Sequence, residues 1–281
     1  MKSLKALALL CALLMVAVSH AEPFHIASWN VRCIEVKDSL QGDAWSKRAP
    51  EIAKVVRFRN FDVVGMQEVD STQRAMLEEL LPEYEWVLDR STEGNPIAFR
   101  KDRLELLDNG VFWYSRSMIP GVKDWDSKHP RYCNWVRLVD RETRKELFVF
   151  NTHWDNKGDT ARMESARMVR NLVPRIAGES ATVLMGDLNI KPGRKPIQIL
   201  KEDSLFLEAL EASPVVSIPE GSFTKFRTDR HSEETLDHMF CRGGVDILRY
   251  GILRETYFDG EKFRFPSDHH PVMIEIEVRE E

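Results

Sequence analysis

The sequence is poor in cysteine, which argues against two classes of protein at once. Its 281 residues contain 4 cysteines, and the spacing of Cys33, Cys133 and Cys241 matches no zinc-binding motif. These three cysteines allow at most one internal disulfide, which is too few for a disulfide-stabilised scaffold. Burial as small apolar side chains is the more economical role for most of them.

An excess of positive charge is also missing. The formal net charge is −5 at pH 7, whereas tight binding to long nucleic acid usually draws on a basic face of the protein. The charge balance therefore disfavours a processive nuclease on duplex DNA, although it is compatible with a local basic patch. No internal repeat, low-complexity tract or Pro/Gly/Ser-rich linker divides the chain, so we expect one large α/β domain.

The N-terminal region needs separate treatment because it contains an apolar run at residues 6–18. That run follows two lysines and is too short to span a bilayer comfortably. Ser19 and Ala21 place small residues where a signal peptidase cleaves. We therefore predict a secretory signal peptide at residues 1–21, a single domain at residues 22–281, and export to the periplasm or the extracellular space. An uncleaved membrane anchor is the alternative.

Short apolar segments typical of β-strands recur along the rest of the chain, with amphipathic segments between them. A single open sheet does not easily accommodate so many strands. Two sheets that pack face to face, with helices outside, are the economical arrangement. The expected strands lie at 24–31, 61–67, 85–88, 95–99, 104–113, 132–139, 147–153, 182–185, 235–240, 245–253 and 271–278, and the expected helices at 45–58, 71–81 and 160–176.

Several of these apolar segments are followed by side chains that can bind a metal or move a proton. Taken singly, each has an ordinary explanation, because Asn and Asp commonly bond their own backbone in turns. Six independent turns that all offer such side chains are a much more specific pattern. The residues are Asn30, Glu68, His153, the pair Asp187 and Asn189, Asp237, and the pair Asp268 and His269.

Together these motifs resemble those of the endonuclease/exonuclease/phosphatase (DNase I-like) superfamily. The order W-N, Q-E, T-H-x-D, G-D-x-N, L-D-H and S-D-H extends from Trp29 to His269. The resemblance implies a four-layer α/β sandwich, with two mixed β-sheets packed face to face and helices on both outer faces. It also implies a metal-dependent phosphoric ester hydrolase of nuclease, phosphodiesterase or phosphatase type. Segment 151–155 and the helix after it are similar to secreted bacterial members.

The resemblance implies Mg²⁺ as the cofactor, with Mn²⁺ as a substitute. Glu68 is then the expected main ligand, with Asn30 and Asp268 as further ligands. Mg²⁺ prefers a few carboxylates plus waters, which agrees with these residue types. Arg48 is expected to support this metal site from behind. Whether one or two ions bind stays open.

The remaining motif residues receive catalytic roles from the same resemblance. Asp187 would position or deprotonate the attacking water, and Asn189 would orient that water or a phosphoryl oxygen. His269 would act as the base or contact the phosphate, while Asp237 fixes its tautomer. His153 would donate to a phosphoryl oxygen or to the leaving group. Attack by water is favoured over a covalent phospho-enzyme because no residue lies in a nucleophile motif.

The substrate is a phosphate ester of nucleic acid, nucleotide, lipid or sugar type, and the sequence does not distinguish these. Arg131 is a candidate phosphate clamp. Asp155 is a candidate substrate-binding residue that could also support His153 or be a solvated loop carboxylate. No stable macromolecular partner is predicted. The alternative function is a catalytically silent protein that binds a phosphate ligand on the same fold.

Overall fold

The computed structural model describes residues 22–279, so the predicted signal peptide at 1–21 lies outside the described residues. Between 22 and 279 there is no helix with the length and apolar character that a membrane crossing requires. The helices of this region are α1 (Val36–Leu40), α2 (Trp45–Phe58), α3 (Ser71–Leu80), α4 (Asp159–Ala177), α5 (Lys195–Lys201) and α6 (Ala209–Ala212).

The strands belong to two large sheets and one small hairpin. They are β1 (Phe24–Asn30), β2 (Val63–Gln67), β3 (Tyr84–Val87), β4 (Ile97–Arg100), β5 (Leu104–Trp113), β6 (Tyr132–Asp140), β7 (Glu146–His153), β8 (Thr182–Asp187), β9 (Leu207–Glu208), β10 (Val216–Ser217), β11 (Asp237–Arg242), β12 (Val245–Ile252), β13 (Tyr257–Phe258), β14 (Phe263–Arg264) and β15 (Val272–Val278).

The first sheet has seven strands in the order β10-β12-β15-β1-β2-β4-β3, and the second has six in the order β5-β6-β7-β8-β11-β9. Both sheets are mixed. The β1–β2 and β7–β8 pairs are parallel, while β15 runs antiparallel to β1 and β11 runs antiparallel to β8. Each sheet therefore has one central parallel pair with an antiparallel strand beside it.

Three apolar clusters separate the layers. The cluster between the two sheets includes Ile26 and Ile274 from the first sheet and Val149 and Met185 from the second. A second cluster packs α4 against the outer face of the six-stranded sheet. A third packs α2 and α3 against the outer face of the seven-stranded sheet. The predicted four-layer sandwich is confirmed, because each sheet buries one face in the common core and the other under helices.

Two glycines next to the chemically interesting strand ends lie at close approaches, Gly65 between the two sheets and Gly186 between neighbouring strands of one sheet. A Cβ at Gly65 would lie 2.4 Å from the Cε of Met185 in the facing sheet. Gly186 has φ +153°, and a Cβ there would lie 1.9 Å from the carbonyl oxygen of Thr152 in β7. Gly186 therefore requires glycine, which explains why this residue type precedes Asp187 in the G-D-x-N motif, whereas a side chain at Gly65 would require Met185 and Asn151 to shift.

Candidate active site

Four strand ends from the two sheets meet at one edge of the sandwich. In the seven-stranded sheet Asn30 ends β1, and Glu68 follows β2. In the six-stranded sheet His153 ends β7, and Asp187 ends β8. Each pair of strands is parallel, so the carboxyl ends of both strands lie at the same edge. The amide nitrogen of Asn30 donates across the sheets to Oδ2 of Asp187 at 3.0 Å.

Glu68 is held in place by a hydrogen bond to each of its carboxylate oxygens. Its Oε1 accepts a hydrogen bond from the amide of Asn30 at 3.1 Å, and its Oε2 accepts from the backbone N–H of Cys33 at 3.0 Å. Its φ of +64° lies in the left-handed region, a conformation that costs about 1–3 kcal/mol when the residue is not glycine. Helix α3 starts directly afterwards with a capping box between Asp70 and Gln73. This cap fixes the end of the strained turn.

Asn189 connects Asp187 with His153. Its φ is +50°, and its backbone N–H donates to Oδ1 of Asp187 at 2.9 Å. Its side-chain amide donates to the carbonyl oxygen of Trp154 and to Nε2 of His153, each at 3.0 Å. In this arrangement Nε2 of His153 is an acceptor, so the ring carries its proton on Nδ1.

Asp237 and His269 form a buried pair beside Asp187. Antiparallel pairing of β11 with β8 places Asp237 opposite Asp187. Oδ2 of Asp237 lies 2.8 Å from Nδ1 of His269 and accepts a second hydrogen bond from the hydroxyl of Ser222 at 2.6 Å. The ring of Phe223 covers His269 with a centroid distance of 4.6 Å. The other ring nitrogen of His269 lies 3.8 Å from Oδ2 of Asp187.

The environment sets different charge states for Glu68 and His153. Burial opposes ionisation of Glu68, but the facing ring of His153 and the N–H donors of Cys33 and Asn30 outweigh it and lower its pKa to about 2. Burial and the nearby Arg131 guanidinium lower the pKa of His153 well below its usual range. Since His153 is thereby kept neutral, the two N–H donors and the charge of His269 are what keep Glu68 ionised.

The pKa values of the groups on the other side of the site shift in the opposite direction. Burial, reinforced by the neighbouring Asp237, raises the pKa of Asp187 to about 7. Burial opposes protonation of His269, but the carboxylates of Asp237 and Asp187 outweigh it and raise its pKa to about 10. Burial and the proximity of Glu68 raise the pKa of Asp268. Carboxyl groups with such opposed pKa shifts are typical of functional sites.

The carboxylates at this edge suit a divalent cation. Asp268 is buried beside the partly buried Glu68, whose proximity raises the pKa of Asp268, and the nearest guanidinium nitrogen, Nε of Arg32, lies 3.9 Å from Asp268. Excess buried negative charge of this kind matches the oxygen-rich sites that hard cations prefer. Asn30 turns its amide nitrogen toward the carboxylates, while its Oδ1 accepts from the backbone of Arg32 at 2.9 Å. Its role as a metal ligand stays a prediction.

A second group of possible ligands lies in the same site. One atom from each of Asp187, Asp237 and His269 lies within 4.8 Å of the others, and all three residues are buried. In this group Nδ1 of His269 is already bound to Asp237 at 2.8 Å. The arrangement therefore fits the handling of a proton better than the coordination of an ion, and the Glu68 side remains the better metal site.

Arg131 lies at the edge of the site, where its only ion pair among residues 22–279 is a long one with Asp155. Its Nε is buried, and no acceptor within residues 22–279 bonds to it. The nearest carboxylate oxygen, Oδ2 of Asp155, is 4.0 Å away. Burial lowers the pKa of Arg131, against the attraction of Asp187 and Asp155. A desolvated guanidinium whose Nε has no acceptor in the described part of the chain is a suitable partner for a phosphoryl group.

Asp155 is 1% exposed and contacts backbone on both sides. Its Oδ2 accepts from the N–H groups of Lys128 and His129, and its Oδ1 accepts from those of Lys157 and Gly158, at 2.8–3.0 Å. Although burial opposes it, these bonds lower the pKa of Asp155 to about 2. This geometry favours a role in fixing the loops around Arg131 over the direct substrate contact that was predicted.

Several supporting residues were not identified from the sequence. Gln67 and Asn151 join the two sheets directly beneath the site through a side-chain hydrogen bond of 2.7 Å. Gln67 belongs to the Q-E motif and Asn151 directly precedes the T-H-x-D motif, so their position next to Glu68 and His153 was the available signal. Ser222 and Phe223 lie in an irregular segment without periodicity, and no sequence pattern pointed to them.

Arg48 is buried behind the predicted metal ligands. It donates hydrogen bonds to the backbone oxygens of Val31, Asp43 and Pro266 at 2.7–3.0 Å. These bonds fasten the end of β1 to the segment that precedes Asp268. The observed contacts agree with the supporting role expected for Arg48.

Comparison with known proteins places this geometry in a family. A family model described as Endonuclease/Exonuclease/phosphatase family matches residues 27–269. The chain is similar to protein angel homolog 2 of Mus musculus, with 29% identity over 189 residues, which are 61% of this chain and 34% of that protein. The chain thus spans about a third of the length of this relative.

Solved structures give the same result. The structure of a mannosyl-6-phosphatase from Bacteroides thetaiotaomicron superposes with a TM-score of 0.87 and 30% identity, covering 91% of this chain and 100% of that one. The human Nocturnin catalytic domain superposes with a TM-score of 0.69 and 16% identity, covering 92% and 94% of the two chains. The latter similarity supports the fold alone.

Proposed function

We propose, from the premise that the chain belongs to the endonuclease/exonuclease/phosphatase family, that this phosphoric ester hydrolase removes phosphate from a sugar phosphomonoester with the help of Mg²⁺. The observation that carries the proposal is the central position of Asp187. Its Oδ2 lies 3.0 Å from Asn30, 3.5 Å from His153 and 3.8 Å from His269. The sugar-phosphate part is supported by the similarity to a mannosyl-6-phosphatase over most of both chains.

Glu68 and Asp268, with Asn30, are the residues that would hold the cation, and Mn²⁺ is the expected substitute. A hard divalent cation in such a site neutralises phosphoryl charge and lowers the pKa of a bound water. Glu68 is ionised and fixed by two N–H donors, so it is ready to bind a cation without rearrangement. This preorganisation supports its role as the main ligand.

The remaining residues divide the work of proton transfer and phosphate binding. Asp187 would accept the proton of the attacking water, since its Oδ2 lies close to Asn30, His153 and His269. His269 is kept protonated by Asp237 and would donate through Nε2 to a phosphoryl oxygen. His153 would contact the phosphate ester on the Asn189 side and donate a proton to the leaving oxygen or a hydrogen bond to a phosphoryl oxygen, and Arg131 would neutralise a further phosphoryl oxygen. These donors would hold the phosphate in the orientation that the reaction requires. Such positioning is a main contribution to the rate enhancement in sites of this kind.

An activity screen with and without added metal tests the proposal. Mannose 6-phosphate, p-nitrophenyl phosphate, bis-p-nitrophenyl phosphate, single-stranded DNA and RNA, and sphingomyelin are compared with Mg²⁺ and with EDTA. We expect metal-dependent release of phosphate from the sugar phosphate, and its loss in Asp187→Asn. Hydrolysis of diesters alone would overturn the monoester assignment. Binding of phosphate without any turnover would instead favour the silent binding protein.

Export is a separate proposal that depends only on the N-terminal sequence. We propose cleavage after Ala21, because small residues at this position follow an apolar run preceded by lysines. N-terminal sequencing of the protein recovered outside the cytoplasm should begin at Glu22. A chain that retains Met1 and remains bound to the membrane would support the anchor instead.

A further inference from the structure

His238 is the polar residue of the L-D-H motif to which the proposed reaction gives no role. It lies on β11 directly after Asp237, and successive residues of a strand point to opposite faces of the sheet. Asp237 faces the site and contacts His269. His238 points to the other face, where its ring stacks near Phe240 with a centroid distance of 6.2 Å. It is 3% exposed and does not reach the substrate side of the sheet.

Both ring nitrogens of His238 have partners that can only accept. Nε2 lies 2.8 Å from the carbonyl oxygen of Ile190, and Nδ1 lies 3.2 Å from Oε1 of Glu208. Glu208 is itself buried, and its second oxygen contacts Nζ of Lys201 at 3.3 Å. Since the carbonyl and the carboxylate of Glu208 accept, each ring nitrogen must donate. His238 therefore cross-links strand β11 and Glu208 to the loop that follows β8.

That loop carries the side chains that organise the catalytic groups. Ile190 directly follows Asn189, which binds Asp187 through its backbone and His153 through its side chain. The start of the loop is held by a backbone hydrogen bond of 2.9 Å from Leu188 to Leu236. Asn189 itself has a left-handed backbone conformation, which persists only where the surroundings enforce it. The bond from His238 to Ile190 supplies that enforcement on the far side of Asn189.

We propose that His238 is a positioning residue for the catalytic loop, holding Asn189 so that Asp187 and His153 keep their relative placement. This inference rests on the proposed function, because it concerns the same site. The two adjacent residues of β11 thus each organise one catalytic histidine. Asp237 orients His269 from the inner face of the sheet, and His238 fixes the partner of His153 from the outer face.

Three variants test the proposal. His238→Leu fills the same space but makes neither hydrogen bond, and His238→Gln can still donate to the carbonyl of Ile190. His25→Leu is the control, since His25 also pairs with a glutamate, Glu275 at 3.8 Å, but lies at the opposite end of β1 from Asn30. Each protein is checked by circular dichroism and Tm, and then kcat and KM for p-nitrophenyl phosphate are measured with Mg²⁺.

We expect His238→Leu to lower kcat by about 10- to 100-fold with KM nearly unchanged, since misplaced supporting residues typically cost this much. His238→Gln should recover most of the loss, and His25→Leu should keep the wild-type kcat. A wild-type kcat in His238→Leu would overturn the inference, as would no rescue by Gln. If His238→Leu does not fold, His238→Asn is used, which can reach Glu208 but not Ile190. A wild-type kcat in that variant would overturn the inference equally.

The two proposals fail in different ways. If the wild-type protein turns over substrate and the His238 variants do so equally fast, the positioning role is removed. The proposed function then stays intact. Absence of turnover in the wild-type protein on every phosphate ester removes the proposed function, and the positioning role with it.

Discussion

Nδ1 of His269 lies 2.8 Å from Oδ2 of Asp237, and both groups are buried. The same oxygen accepts from Ser222, so the carboxylate cannot rotate without losing two hydrogen bonds. The ring of His269 is therefore fixed with Nε2 directed toward Asp187 at 3.8 Å. This pair determines which nitrogen of His269 is available to the substrate.

Asp237→Asn should reduce kcat for p-nitrophenyl phosphate by about 10- to 100-fold, because the amide no longer stabilises a protonated His269. Steady-state kinetics at saturating substrate measure this. Asp62→Asn is a matched control, since Asp62 is equally buried and binds Arg103 at 2.7 Å away from the site. That variant should lose stability but not kcat. Equal kcat values for the two variants would contradict the assigned role of Asp237.

Removal of divalent metal should abolish turnover, and Mg²⁺ or Mn²⁺ should restore it. Equilibrium dialysis with Mn²⁺ should show binding that Glu68→Gln weakens by about 10-fold or more, because a neutral amide replaces the main anionic ligand. Glu275→Gln, at a buried glutamate of β15, should bind metal as the wild-type protein does. Unchanged Mn²⁺ binding by the Glu68 variant would place the ion elsewhere.

Arg131→Gln should raise KM or lower kcat/KM by about 10- to 100-fold, which corresponds to about 1.5–3 kcal/mol for a hydrogen bond to a charged group. The fold should not suffer, because Nε of Arg131 is buried and has no acceptor among residues 22–279. A Tm equal to or above that of the wild type is therefore expected, together with the kinetic loss. Arg175→Gln, on the exposed surface of α4, serves as the control for loss of positive charge. A falling Tm with unchanged kinetics would indicate a purely structural arginine.

Asp155→Asn should destabilise the protein at pH 7 and much less at low pH. The folded state lowers the pKa of Asp155 from 3.8 to about 2, so its stabilising contribution is fully present above the unfolded value and is lost as pH falls through the folded value. The difference in unfolding free energy between wild type and variant should therefore shrink between about pH 4 and pH 2. Urea denaturation at a series of pH values measures this. A difference that stays constant over this range would show that the ionised carboxylate is not what the four N–H groups bind.

The sequence predicted the sandwich because the long strands bury both faces and read as continuous apolar runs, as β7 and β8 do. It did not predict α1, α5, α6, β9, β10 or the β13–β14 hairpin. These elements have two to seven residues, too few for a hydrophobic period to repeat. Their placement depends on tertiary contacts, such as the hydrogen bond of 2.9 Å between Arg264 and Asp43.

The convergence of the motif residues could be predicted for a similar reason. Parallel neighbours end at the same edge, so polar residues that follow apolar strands tend to meet there. The direction in which each side chain makes its hydrogen bonds was harder to predict than the position of the residue. The donor role of the Asn30 amide and the four backbone donors around Asp155 depend on rotamers and on loops that close only in the folded chain. Ser222 and Phe223 likewise approach His269 from an irregular segment.

The bond between Asn30 and Asp187 joins the two sheets at the point where the chemistry is expected. A small sliding of one sheet over the other would separate these groups long before the apolar core is exposed to water. Loss of turnover in rising denaturant should thus precede the loss of far-UV circular dichroism. The enzymatic rate should therefore respond to a shift between the two sheets before the backbone circular dichroism does.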